Sequence, residues 1–576
     1  MSYRFFSTSV ENLRREGERR ARLAAVAAPL ASRERTGRPV SPLRRRLGRD
    51  FFTPAGQPAT VPSPPSAGVI AYSRLAFGPR PGEIDAFNAL AGTDPARLQA
   101  WVDQQLDPAS LDDSHIDNRI AASGFTTLGK TVTQLWTEHA IAQDIPWDEV
   151  IRPLRETELV TFLRAIYSRR QLFEVMVDFW HNHFNVYAHE WPFAPMWVHS
   201  DRDAIRAHAF GNFRQMIEAV ARTPAMLHYL DNAENSFEDA NENYARELLE
   251  LHGLGAEHYF GNIPQGAVPR DAQNRPRGFV EDDVVAAARC LTGWTVSDRS
   301  WDPEIGNSGE FLYYDPWHDH DPKHLLGIDL PGNQAPMKDG HDLFDLIAGH
   351  PGTARHVAGK IARRLLGDVP PASVVDAAAA VFAAQISAPD QLAQVIRTIV
   401  LSPEFLQTWG DKVKRPFEIA VGAFRATTGD IPFLRGDDAT NWFYWEYYQT
   451  GQPLFGWHPP NGYPDFKSAW NTTAPRVMSW RLANMLIQVN DGENEYFEFL
   501  SQMPPDVRSA EAIVTFWTER MLGRPTPPSE HTKLVEFMAQ GHNPSFDLPL
   551  DTDEGTQIRL RALIALILQS PSFLWR

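Results

Sequence analysis

The spacing of apolar residues constrains the fold of this chain more than any other feature of its sequence. In segments 156–184 and 202–230, apolar side chains recur at every third and fourth position, which is the period of one helix face. Strand-like alternation is scarce, so we predict a mainly α fold built as a large multi-helix body. Further helices are predicted at 241–252, 281–292, 353–366, 373–384, 391–400, 415–426, 474–489, 508–522 and 556–569.

A weak internal repeat supports this prediction. Residues 396–409, IRTIVLSPEFLQTW, resemble residues 563–576, LIALILQSPSFLWR, and residues 216–230 form a looser third copy. Each copy is an apolar helix followed by Ser or Thr and then Pro, which is a natural cap and first turn for another helix. We therefore predict duplicated helical units that build the scaffold.

Composition divides the 576 residues into three predicted parts. Residues 1–70 form a basic, Pro-rich disordered arm and linker, since the first 50 residues carry thirteen Arg and no Lys. Residues 71–427 form a helical core domain, and residues 428–576 form an aromatic loop and a C-terminal helical unit. Long loops at 257–280, 295–340 and 428–475 are expected to be functional. Paired arginines before an apolar run leave the location open between cytoplasm and export.

The overall charge excludes some partners. A net charge of −17 argues against nucleic acid and against an anionic membrane surface as the main partner. The sequence contains no run of 18 apolar residues, so we predict no transmembrane segment.

Three polar stretches, at 178–186, 231–255 and 317–327, are unusually rich in histidine and carboxylate side chains. This density is typical of a divalent metal site or of an acid–base pair. Around a helix, His181 and His183 point about 200° apart, so one of them can be a ligand while the other packs. The predicted metal ligands are His181 or His183, Glu247, His318 and Asp319.

The catalytic and substrate-binding predictions come from the same stretches and from one aromatic loop. Glu247 and Glu250 lie on a helix whose other faces are apolar, and a buried carboxylate must be paired, protonated or metal-bound. Glu250 is the predicted general base, and Lys323 or Arg246 would stabilise developing negative charge. Arg355 and Lys360 are exposed or site-facing cations of a later helix. The predicted substrate contacts are Asn243, Arg355, Trp457, His458, Tyr463 and Trp470.

From about Arg74 to its last residue, the chain resembles a bacterial family known as domain of unknown function 1800. The motifs that carry the resemblance include RLAFGPRPGE at 74–83, FWHNHF at 179–184, NENYARELLELHGLG at 241–255 and HDHDPKHLLG at 318–327. The resemblance implies a helical fold, frequent export and a sulfatase-like protein as a partner, without an established reaction. The sequence departs from the family pattern at Asp321 and in HPPNGYPD at 458–465.

These observations favour a metal-dependent hydrolase that acts on a small polar molecule or a carbohydrate. A bound metal ion would lower the pKa of a water molecule. Two further enzymes use the same residues: a metal-dependent oxidoreductase, and a metal-free acid–base glycosidase with two carboxyl groups in different environments. The alternative from another class is a non-catalytic binding or assembly protein, in which the polar stretches form a structural hydrogen-bond network.

Overall fold

The described chain is mainly α-helical, as the apolar spacing predicts. A computed structural model describes residues 64–488 and 496–576, and within them 26 α-helices and two small sheets form. Most of the predicted basic arm, including its export segment, lies outside the described residues. The first helix begins at Ala67, inside the predicted arm, because Ser66 caps it and its apolar residues Val69 and Ile70 are buried.

The helices before the first sheet include α8, which carries the histidine-bearing motif. They are α1 (Ala67–Arg74), α2 (Glu83–Asn88), α3 (Asp94–Gln105), α4 (Ser114–Ala122), α5 (Val132–Leu135), α6 (Trp147–Val150), α7 (Arg152–Tyr167), α8 (Gln171–His183), α9 (Trp197–His199), α10 (Phe213–Ala221), α11 (Pro224–Tyr229), α12 (Glu242–Glu247) and α13 (Glu281–Cys290). A π-helical turn, Leu248–His252, continues α12, and such turns occur frequently at functional sites.

The helices after the sheets carry the remaining repeat copies. They are α14 (Lys338–Ala348), α15 (Pro351–Leu365), α16 (Ala372–Ala384), α17 (Gln391–Val400), α18 (Pro403–Gln407), α19 (Pro416–Thr427), α20 (Asp438–Tyr448), α21 (Lys467–Trp470), α22 (Thr473–Gln488), α23 (Ala510–Leu522), α24 (Pro528–Ala539), α25 (Glu554–Gln569) and α26 (Pro571–Leu574). In all three copies a longer helix is followed by Ser or Thr, then by Pro at the start of a short helix.

Two antiparallel hairpins lie between α13 and α14. Strands β1 (Trp294–Arg299) and β2 (Gly306–Tyr313) pair with Trp294 opposite Tyr313. Strands β3 (Lys323–Leu325) and β4 (Ile328–Leu330) pair with Lys323 opposite Leu330. The prediction of an irregular loop over 295–340 was therefore wrong, since such short strands contain too few alternating residues to be recognised. The predicted loop over 428–475 likewise contains α20 and α21.

The predicted helix 156–184 consists of two helices that break at Ser168. The backbone of Ser168 is extended, and its hydroxyl group donates to Asp113 at 2.5 Å. Asp113 also accepts the amide proton of Arg169 at 2.7 Å. A distant carboxylate thus replaces the helical hydrogen bonds at the break, and apolar spacing cannot reveal such a partner.

One large hydrophobic core, with a smaller cluster around Trp136, supports these elements. Residues Pro64–Arg576 form one compact unit, so the segments on either side of residue 427 belong to the same unit. Among its largest fully buried side chains are Trp180, Trp294 and Trp517. None of the described helices has the length and apolar character needed to cross a bilayer.

Candidate functional site

The two histidines at the end of α8 face different partners, as the helical geometry predicts. His181 is buried, and its Nε2 lies 2.8 Å from Oδ1 of Asp201. Asp201 in turn forms an ion pair with Arg206 at 3.0 Å. His181 is therefore held by a protein carboxylate within the core.

His183 lies on the opposite side, close to a second buried histidine. Its Nε2 lies 3.1 Å from the carbonyl oxygen of His252, and the two rings are 6.1 Å apart. Burial, and then the charge of Lys360, holds the pKa of His183 well below its usual value. The same two causes lower the pKa of His252 to about 3. Both imidazoles are therefore neutral at physiological pH.

The third predicted stretch forms a closed polar network. His318 lies 3.2 Å from Asp339, and the ammonium group of Lys323 donates to the same carboxylate at 2.6 Å. Lys323 also donates to the carbonyl oxygens of Asp319 at 2.5 Å and Asp321 at 2.9 Å. Since Lys323 has three protons and three protein acceptors, it has none left for a substrate oxyanion.

Asp319 is also occupied by a protein partner. Its two carboxylate oxygens accept from Arg289 at 2.7 and 3.1 Å, which is a bidentate ion pair. Within residues 64–488 and 496–576, no three His, Cys, Asp or Glu side chains form a group that could hold a metal ion. The predicted ligands His181, His183, Glu247, His318 and Asp319 thus do not come together in the described part of the chain.

The carboxyl groups of α12 and its π-helical turn have different environments. Arg246 forms ion pairs with Glu242 at 3.0 Å and with Glu281 at 2.5 Å, and its nearest approach to Glu250 is 3.9 Å. Arg246 is therefore not free to stabilise a developing charge. Glu247 has neither a hydrogen bond nor an ion pair to any described residue. Burial, and then the negative charge of Glu250, raises the pKa of Glu247.

A cavity of about 100 Å³, which we call the Tyr229 cleft, is lined by Tyr187, Glu190, Trp191 and Tyr229 among others. Burial raises the pKa of Tyr229, and the charges of Glu247 and Glu190 raise it further. Both carboxyl groups are therefore electrostatic neighbours of this phenol. Glu190 is exposed, and its carboxylate has no partner among the residues that the structure describes.

Exposed aromatic rings flank the Tyr229 cleft. Trp147 is 52% exposed and Trp191 is 46% exposed, with ring centroids 5.9 Å apart. Tyr187 lies against the ring of His458 at 5.0 Å, and the hydroxyl group of Tyr229 donates to the His458 carbonyl oxygen. His458, a predicted substrate contact, therefore lies beside the cleft.

The segment 457–466 is fixed to the end of α8 by two asparagines. The side chain of Asn182 exchanges hydrogen bonds with the backbone of Tyr463, at 2.7 and 2.6 Å. Asn185 donates to the carbonyl oxygens of Trp457 at 2.9 Å and Pro459 at 2.8 Å. The WHNHFNV motif thus positions the aromatic loop as well as the two histidines.

A cavity of about 230 Å³, the Lys360 cavity, lies between the end of α8, helix α15 and the segment 457–466. Its walls include His183, Lys360, Arg363, Trp457 and Tyr463. Burial, and then the nearby charge of Arg363, lowers the pKa of Lys360 to about 8. No described residue forms a hydrogen bond or an ion pair with the Lys360 ammonium group.

The remaining predicted substrate contacts have other roles. Trp457 and Tyr463 line the Lys360 cavity, but Trp470 is buried and donates to the Pro464 carbonyl oxygen at 2.6 Å. Asn243 donates to Asp231 at 3.0 Å, and Arg355 pairs with Asp376 at the surface. The sequence did not assign roles to Glu190, Tyr229 or Arg363. The polar residues that follow the histidine pair were the only local signal for Glu190.

Comparisons with known proteins identify a family without a described activity. No curated protein and no solved structure matches the chain significantly. The family model described as protein of unknown function (DUF1800) matches residues 70–575. This span includes the end of α8, the α12 carboxylates and both cavities, and the chain therefore belongs to the DUF1800 family.

Proposed function

We propose that the protein is a glycan hydrolase that uses two carboxyl groups, with Glu247 as the general acid. The observation that carries this proposal is the environment of Glu247, which is half-buried, unpaired within the described residues and raised in pKa. A carboxyl group with these properties can keep its proton until a leaving group needs it. The metal-free glycosidase is thus favoured over the metal-dependent enzymes predicted beside it.

The reaction assigns a separate role to each carboxyl group. Glu247 donates its proton to the glycosidic oxygen while the bond between that oxygen and the anomeric carbon breaks. A water molecule attacks the anomeric carbon and gives its proton to the carboxylate of Glu190. Solvent then returns a proton to Glu247 and removes one from Glu190, so the net change is hydrolysis. Glu250, the predicted base, raises the pKa of Glu247 instead.

The substrate class follows from the aromatic rings around the Tyr229 cleft. Trp147 and Trp191 present large exposed rings, and Tyr187 packs against His458 of the segment 457–466. Flat aromatic faces beside polar groups suit the apolar faces and the hydroxyl groups of a sugar. The carbohydrate substrate predicted from the sequence is therefore retained in this proposal.

Binding of a divalent metal ion remains a separate proposal. Among its predicted ligands, Glu247 is the one whose side chain has no hydrogen-bond or ion-pair partner in the described chain. A metal-dependent hydrolase or oxidoreductase would require His318 and Asp319 to exchange their present partners, Asp339 and Arg289, for the ion. Elemental analysis of the purified protein, beside the Glu247→Gln variant, tests this. Stoichiometric metal that the variant loses would favour the metal-dependent mechanism.

The hydrolase proposal is tested by release of reducing sugar from a panel of neutral and acidic polysaccharides. We expect Glu247→Gln to lower kcat by at least about a hundredfold, which is the usual contribution of a general acid. The matched control is Glu242→Gln, on the same helix, where the carboxylate pairs with Arg246. Activity equal to wild type in Glu247→Gln, or no release from any polysaccharide, would contradict the proposal.

A non-catalytic glycan-binding protein is the second candidate, because the exposed pair Trp147 and Trp191 suits binding without turnover. It predicts that oligosaccharides bind wild type and Glu247→Gln equally, with no hydrolysis by either. The sulfatase-like partner implied by the family resemblance stays a prediction in both cases.

A further inference from the structure

We propose that the Lys360 cavity binds the anionic group of an acidic sugar unit, such as a uronate. Binding of an anion is inferred from the cavity residues alone. The identification of the ligand as a sugar rests on the proposed glycan hydrolase.

The cavity presents two cationic groups without carboxylate partners of their own. Lys360 has no hydrogen bond or ion pair to the described residues. Arg363 donates from its Nε to the Asp368 carbonyl oxygen at 3.3 Å, while its terminal nitrogens have no acceptor in the same part of the chain. Arg363 also lies 4.6 Å from the ring centroid of Phe466, which fixes the plane of the guanidinium group. Two such donors match the geometry of a carboxylate or a sulfate.

The acidic residue of the cavity wall offsets these cations only in part. Asp465 lines the cavity, but its carboxylate pairs with Lys412 at 3.2 Å. His183, another wall residue, is neutral because burial and Lys360 both lower its pKa. The charges of Asp465 and Glu257 favour the charged form of Lys360, but burial and Arg363 outweigh them and lower its pKa. An anionic ligand within hydrogen-bond distance would offset that cost.

The size and the remaining walls of the cavity suit a sugar. Its volume of about 230 Å³ is well above the roughly 10–15 Å³ that a single water molecule needs in the same measure. Trp457 and Phe466 offer ring faces, and Asn461 accepts from Trp457 at 2.9 Å while its amide protons have no described acceptor. A pyranose ring can pack on such faces and accept a hydrogen bond from such an amide.

The test is isothermal titration of the full chain with glucuronate, glucose and inorganic sulfate. We expect glucuronate to bind, glucose to bind at least tenfold more weakly, and Lys360→Met to lose at least tenfold in glucuronate affinity. Lys533→Met, which removes an exposed lysine, is the charge-matched control. Affinity should also fall about tenfold per pH unit above pH 8, as Lys360 loses its proton.

Equal binding of glucose and glucuronate, binding of sulfate alone, or unchanged affinity in Lys360→Met with the fold intact by circular dichroism would each overturn the proposal. The Glu247→Gln variant separates this proposal from the hydrolase. Glucuronate binding that persists while neither wild type nor any variant hydrolyses a polysaccharide would reject the hydrolase and leave the anion site standing. Hydrolysis of a polysaccharide without glucuronate binding would reject the anion site and leave the hydrolase standing.

Discussion

Glu247 and Glu250 lie three residues apart, and their neighbours give them different chemistry. Glu250 lies 3.9 Å from Arg246, whereas no described residue pairs with Glu247. Burial, and then the charge of Glu250, raises the pKa of Glu247, so in the proposed mechanism Glu247 is the proton donor and Glu250 modulates it. Since Arg246 lies four residues from Glu250, the sequence could suggest this ion pair. It could not reveal that the shortest ion pair of Arg246 is with Glu281, at 2.5 Å.

A glycine controls the docking of the aromatic segment. At Gly462 the backbone φ is +71°, and an added Cβ would lie 2.1 Å from the carbonyl oxygen of Asn182. We expect Gly462→Ala to destabilise the protein by about 2–3 kcal/mol, because it adds this clash to the strain of a left-handed backbone. Urea unfolding followed by circular dichroism measures this change.

The control for this prediction is Gly451→Ala. Gly451 has φ +86°, but an added Cβ meets no atom within 4 Å. This variant should cost only about 1 kcal/mol, from the backbone strain alone. Equal losses of stability in the two variants would show that the approach to Asn182 does not matter.

At the scale of elements, the three repeat copies show how far sequence patterns reach. The Ser/Thr–Pro signal predicted the start of a short helix correctly in each copy, because Pro in the first turn acts locally, although only Thr223 and Ser570 make the cap hydrogen bond. The polar clusters were harder to predict, since their partners come from other elements. Asp339 binds both His318 and Lys323 from helix α14, and nothing in the HDHDPKHLLG segment indicates it.

The caps of two repeat copies provide an element-scale prediction. The hydroxyl group of Ser570 accepts from the amide of Phe573 at 3.3 Å, at the start of α26. Ser402 occupies the same position before α18, but its buried hydroxyl group has no hydrogen-bond partner in the described chain. We expect Ser570→Ala to cost about 1 kcal/mol and Ser402→Ala to be neutral or slightly stabilising.

Thermal unfolding of both variants, followed by far-UV circular dichroism, measures the difference. A larger loss of stability in Ser402→Ala than in Ser570→Ala would mean that the cap hydrogen bond does not stabilise α26.

The mainly α fold itself was predictable from apolar spacing, because that pattern is repeated in many helices. The hairpins between α13 and α14 were missed because each contains few alternating residues.

At the scale of the whole molecule, a buried ion network joins distant parts of the chain. Glu418 pairs with Arg364 at 2.9 Å, with Arg576 at 2.7 Å and with Arg415 at 3.5 Å. Asp178, on α8, pairs with Arg364 at 3.1 Å and also contacts Arg415. The network thus connects the histidine-bearing helix with α15, α19 and the end of the sequence. The individual charges are visible in the sequence, but their pairing requires the fold.

Asp465, in the wall of the Lys360 cavity, interacts with the arginines of this network. Burial by itself would raise the pKa of Asp465, but Lys412, Arg364 and Arg415 together lower it to about 2. A carboxyl group with a lowered pKa stabilises the folded state above its unfolded pKa of about 3.9. That contribution is lost as the pH falls from about 4 towards 2.

This linkage predicts the acid stability of the protein. We expect Asp465→Asn to lower the free energy of unfolding by about 2 kcal/mol at pH 7 and to have a much smaller effect near pH 2. Urea unfolding at pH 7, 5, 3 and 2 measures the difference between wild type and variant. The control is Asp551→Asn, which removes an exposed partner of Arg508 and should change little at any pH. A constant difference between wild type and Asp465→Asn over this range would mean that Asp465 stabilises the fold through packing rather than through its charge.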